Sequence, residues 1–66
     1  MPSSVIREFV YDAASRELLV LFVTGRRYLY SNVPQAEVDA FRTATSKGRY
    51  FKRRIRDHYR YREWVD

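Results

Sequence analysis

Eight cations crowd into residues 47 to 62, namely Lys47, Arg49, Lys52, Arg53, Arg54, Arg56, Arg60 and Arg62, and Asp57 is the only acid among them. Arginine dominates this set, as it does the chain: eleven of the 13 Lys and Arg residues are Arg. A guanidinium grips phosphate bidentately and stacks on planar groups, whereas an ammonium acts as a compact point charge. The chemistry open to such a run is the capture of an anionic, phosphate-bearing partner. On a helix advancing by about 100° per residue, Arg49, Lys52, Arg53, Arg56 and Arg60 share an arc of about 100°. Like charges so placed repel one another and are relieved by a polyanion. The competing reading is a solvated face that keeps a small domain soluble. Arg26 and Arg27, at a turn signal, either extend the patch or form an ordinary exposed hairpin tip.

Tyr28 and Tyr30 alternate onto one face of a short strand, and Tyr61 comes just after the basic helix. Such rings can stack on the bases of a single strand, as in several RNA-binding folds, although core packing competes for them. His58 is the only histidine and there is no cysteine, so no metal-ligand set is expected. Ser46 and His58 have no third residue to orient the ring, which argues against a hydrolytic centre. Asp57-His58 reads as a helix-terminal pair, with His58 near the negative end of the dipole. Gly25 and Gly48 stand too far apart to make a phosphate loop. Catalysis, a cofactor and a small-molecule substrate are therefore not expected.

The elements that must hold these groups change period midway. Residues 6 to 11, 17 to 23 and 26 to 30 are β-branched, aliphatic and aromatic, and are separated by Asp12-Ala13-Ala14-Ser15-Arg16 and Thr24-Gly25. They predict a three-stranded antiparallel meander. Val33-Pro34 then opens a helix over 34 to 44, capped by Asn32 or Ser31, with Glu37 and Asp39 near its positive end and Val38, Phe41 and Ala44 as its apolar stripe. Ser46 caps a second helix over 47 to 59 with Phe51, Ile55 and Tyr59 on its apolar side. Gly48 near its start signals close packing or a tight corner. Phe22 and Phe41 are expected in the core. The fold class is α+β, strand-strand-strand-helix-helix.

The second strand is apolar on both faces, with Leu18, Val20 and Phe22 on one side and Leu19, Leu21 and Val23 on the other. Two short helices cover only one side of a sheet. The Leu19/Leu21/Val23 face is thus expected either to form a homodimer or to lie under the Tyr61 to Val65 tail.

With 66 residues, the chain is a single domain, residues 1 to 66, whose small core must rely on large side chains. Aromatics at 17% meet that need. The formal charge of +5 is local. Residues 1 to 46 balance five basic against five acidic side chains, and the excess lies wholly in the second helix and the residues immediately after it. The cysteine-free composition suggests a reducing, cytoplasmic setting. Met1-Pro2-Ser3-Ser4 lacks the pattern of an export signal, and the longest aliphatic run, 18 to 23, falls far short of a membrane span.

Taken in order, Ser3-Ser4, Tyr11-Asp12, Leu18-x-Val20-x-Phe22, Gly25, Tyr28-x-Tyr30, Val33-Pro34, Ala44-x-Ser46-x-Gly48, Tyr50-Phe51, Ile55 and Tyr59 resemble the KTSC domain. These small bacterial domains occur alone or at the C-terminus of some lysyl-tRNA synthetases. Lys52 stands where Asn is frequent in that family and adds a charge. The resemblance implies RNA binding by association with the synthetase. Together with the basic face it makes a non-catalytic RNA- or DNA-binding domain the leading expectation, and a module that docks an acidic protein the alternative.

Overall fold

The computed structural model describes residues 5–65, so Ser3-Ser4 of the resemblance lie outside the described residues. Three strands form as expected: β1 (Ile6–Asp12), β2 (Glu17–Phe22) and β3 (Arg27–Tyr30). The β1–β2 turn is shaped by the Asp12 carboxylate, which accepts from the Ala14 N–H at 3.0 Å, and Arg16 closes it at φ 60°. Gly25 adopts φ 94° between β2 and β3, a conformation glycine takes without steric cost. Residue 23 falls just beyond β2, where the Val23 N–H donates to the Val5 carbonyl at 3.0 Å.

A fourth strand departs from expectation. Tyr61–Glu63 forms β4 and pairs antiparallel with β3, Tyr28 opposite Glu63 and Tyr30 opposite Tyr61, so the sheet is a four-stranded meander in sequence order. The tail thereby satisfies a row of β3 backbone groups that a three-stranded sheet would leave open.

The helix α1 spans Gln35–Thr43. Pro34 itself occupies the N-cap position and no side chain caps the helix. Asn32, expected to do so, instead turns the chain at φ 59°, a left-handed region that Asn tolerates better than most residues. The Tyr11 hydroxyl fastens this corner by donating to the Val33 carbonyl at 2.6 Å. Of the expected apolar stripe, Val38 and Phe41 are fully buried against the sheet, whereas Ala44 lies just past the end of the helix in extended backbone and is half-buried.

The second helical segment is shorter than predicted and changes type. Ser46 caps it, its hydroxyl accepting from the Arg49 N–H at 3.3 Å. After α2 (Lys47–Tyr50) the backbone widens into a π-helical turn, Phe51–Ile55, closed by the Arg56 N–H donating to the Phe51 carbonyl at 2.8 Å. The helix therefore ends at residue 55, not 59. Phe51 and Ile55 still reach the core, while Tyr59 is half-buried at its rim. Gly48 marks a close approach: a Cβ there would lie 3.2 Å from Val5 Cγ2.

The core lies between the helices and one face of the sheet, formed by Ile6, Leu18, Val20, Tyr30, Val33, Val38, Phe41, Phe51 and Ile55. Phe22 is only half-buried at its edge, its ring meeting Tyr28 and Phe51 edge-on. No helix of the described residues is long and apolar enough to cross a membrane.

Candidate functional site

Ser46, α2 and the π-helical turn build one wall of a cleft of about 370 Å³. Arg49 and Arg53, one turn apart, line it with Arg54, the Tyr50 ring and the loop residues Ala44 and Thr45. All three arginines are exposed. Among the described residues neither Arg49 nor Arg53 forms an ion pair, whereas Arg54 Nε lies 3.9 Å from a Glu37 carboxylate oxygen. The cleft thus carries net positive charge on a concave surface with an aromatic ring in its wall.

Glu37 holds that wall to α1. Its side chain is 11% exposed and accepts hydrogen bonds from the Tyr50 hydroxyl and, at 2.9 Å, from the Tyr59 hydroxyl. Burial first, and the Glu37 hydrogen bond second, raise the Tyr50 hydroxyl above its ordinary pKa and push that of Tyr59 up to about 12. Both remain neutral donors at ordinary pH. The Tyr50 ring stacks on Phe41 at 5.8 Å between centroids, which ties the cleft to the core.

The other expected site residues are dispersed. Lys52 and Arg56 are exposed on the helical segment but do not line the cleft, and Arg56 lies 3.8 Å from Asp57. Arg60 is not on a helix at all. It leads into β4, its carbonyl accepting from the Ser31 N–H at 2.8 Å, and it lines a separate polar depression with Asn32, His58 and Tyr59. The expected five-cation arc is therefore corrected: the helix stops before Arg60, and the π turn rotates the chain less per residue than an α-helix does. Arg26 lies beside Tyr28 at the β2–β3 turn, and its hydrogen bond to Tyr28, with Glu63 nearby, raises its pKa above the ordinary arginine value. Arg27 is half-buried on β3.

Of the three tyrosines, Tyr30 is closed to a base. It is 2% exposed, with Phe51 edge-on at 5.4 Å and Tyr61 stacked at 5.3 Å; burial pushes its pKa well above the tyrosine range. Tyr28 is half-buried and meets Tyr61 edge-on. Tyr61 is 54% exposed and offers the open ring of this cluster. His58 Nε2 lies 2.9 Å from the Arg53 carbonyl, which agrees with a role at the end of the helical segment. Among the described residues no group of three or more His, Asp or Glu could hold a metal ion.

Sequence reasoning missed Arg54 and Tyr50 as cleft residues and Glu37 as their support. The available signal was the four-residue spacing of Tyr50 and Arg54, which puts them on one side of a helix; for Glu37 there was none.

Comparison with known proteins agrees with the fold. A lysine–tRNA ligase from Trichormus variabilis is 32% identical over 60 residues, covering 91% of this chain and only 11% of the ligase. The crystal structure of a KTSC domain protein from Yersinia pestis superposes with a TM-score of 0.89 at 31% identity, covering 98% of this chain and 94% of that one. The sequence model of the KTSC domain matches residues 2–59, and the chain belongs to the KTSC domain family.

Proposed function

We propose that the domain is a non-catalytic nucleic-acid-binding module that takes RNA into the arginine-lined cleft. The observation that carries this reading is the convergence of Arg49, Arg53 and Arg54 on one concavity in which two of the three guanidiniums have no carboxylate partner among the described residues. Guanidiniums without a carboxylate partner can each pair bidentately with a phosphate. Lys52 and Arg56 prolong the positive surface along the segment, and Tyr61 supplies a ring for an unpaired base, with Tyr28 beneath it. RNA is preferred to DNA because a relative of the chain is a ligase named for tRNA. A cytoplasmic location belongs to the same proposal.

Fluorescence polarisation against single-stranded RNA, single-stranded DNA and duplex DNA over a salt series tests it. Each phosphate contact should contribute about −0.7 to the slope of log affinity on log salt for a single strand and about −0.9 for a duplex. Arg49→Ala and Arg53→Ala should each flatten the slope by one such step while weakening all sequences alike. Absence of binding to every nucleic acid at about 50 mM salt, where the electrostatic attraction is strong, overturns the reading and turns attention to an acidic protein partner.

A further inference from the structure

The sheet has a second face, turned away from the helices, and its charges are sorted. Cross-strand register places Glu8, Leu21 and Arg27 in one row, Val10, Leu19, Leu29 and Arg62 in the next, and Asp12 opposite Glu17 in a third. Glu8 and Asp12 thus hold the β1 margin with Glu17 beside them at the start of β2, the leucines hold the middle, and Arg27 and Arg62 the opposite margin. Strand β4 extends this face beyond β3. Leu29 is 7% exposed although it lies outside the core cluster, and the guanidinium of its neighbour Arg62 sits 5.5 Å from the Trp64 ring centre. The rest remains open: Leu19 and Leu21 are half-buried, while Val10 and Val23 are 62% and 59% exposed.

We propose that this face is a homodimer interface in which two copies pack sheet to sheet about a two-fold axis running along the strands. Such a rotation reverses the strand order between the facing sheets. It lays β1 of one copy against β3 and β4 of the other, so that each acidic margin meets a basic one and the leucines meet in the middle. An axis across the strands would instead set β1 on β1, acid against acid, which is disfavoured. Packed sheets lie about 10 Å apart with strands within about 30° of each other. The arginine-lined cleft sits in the helical layer on the other side of the sheet, so the dimer carries two clefts facing outwards. The interface is independent of what those clefts bind.

Sedimentation equilibrium of the full chain from low to high micromolar concentration should show a monomer–dimer equilibrium. Leu21→Glu should abolish the dimer, with circular dichroism confirming the fold. Glu8→Arg and Arg62→Glu should each raise the dissociation constant roughly 2- to 30-fold, because two-fold symmetry counts each exposed pair twice. The double variant restores opposite charge across the interface and should recover affinity to within about three-fold of the parent. A monomeric mass at high micromolar concentration overturns the proposal. So does a dimer indifferent to these substitutions, or one weakened by both charge reversals and not rescued by their combination. Should Leu21→Glu fail to fold, the charge-reversal set decides alone.

Discussion

Replacing Glu37 with Ala should cost about 2 to 4 kcal/mol of folding stability, much more than a substitution at an exposed helix position. Glu37 lies in the first turn of α1 and is 11% exposed, and the hydroxyls of Tyr50 and Tyr59 both donate to it. A hydrogen bond to a charged group contributes about 1.5 to 3 kcal/mol. Each bond here contributes about 1 to 2 kcal/mol, at or below the lower end of that range, because both tyrosines are only half-buried and water can replace part of what is lost. Arg54, at 3.9 Å and largely exposed, adds little. For a domain of this size each kcal/mol moves the melting temperature by about 4 to 8 °C, so the variant should melt roughly 10 to 25 °C below the parent. Chemical denaturation of a double-mutant cycle isolates the bond itself. Tyr59→Phe should cost about 1 to 2 kcal/mol beside Glu37 and almost nothing in the Glu37→Ala background. Equal cost in both backgrounds, or a Glu37→Ala loss under about 0.5 kcal/mol, would show that the carboxylate does not fasten α1 to the wall of the cleft.

Alkaline pH should weaken the same junction. The Tyr59 hydroxyl ionises at about 12 in the fold against about 10 in the unfolded chain. Its contribution is therefore fully present below pH 10 and lost as pH rises toward 12; denaturation midpoints that decline less steeply above pH 10 in Tyr59→Phe check this, and identical profiles refute it. Gly48→Ala tests the packing at the start of α2. Its Cβ would meet Val5 Cγ2 at 3.2 Å, and Val5 is half-exposed near the start of the described chain. The valine should yield and the variant should gain up to about 1 kcal/mol from the helical preference of Ala. Destabilisation by more than about 0.5 kcal/mol would mean that Val5 is held in place.

The parts of this molecule that were legible in its sequence are those set by neighbours along the chain. The turn at Asp12, Gly25 at positive φ and the Ser46 cap are local devices, and each appears where its residue type places it. Strand β4 carries no comparable signal. Three residues are too few to show alternation, and Tyr61–Glu63 is a strand because β3 offers it an open edge. The end of the second helix was equally hidden, since Phe51 and Ile55 are four residues apart and suit an α-helix as well as the π turn that is present. That difference redistributes the charge. A regular α-helix extended to residue 59 puts Arg60 on the arc with Arg49 and Arg53. The observed backbone sends Arg60 toward β4 and leaves Arg54 in the cleft, beside a carboxylate seventeen residues earlier in the chain. Local charge density could therefore be read from composition, but the set of cations that converge on one concavity depends on helix phase and on Glu37, whose tyrosine partners lie 13 and 22 residues away. Contacts at that separation leave no periodic trace, so Glu37 reads in sequence as a residue near a helix dipole and in the fold as the anchor of the cleft wall.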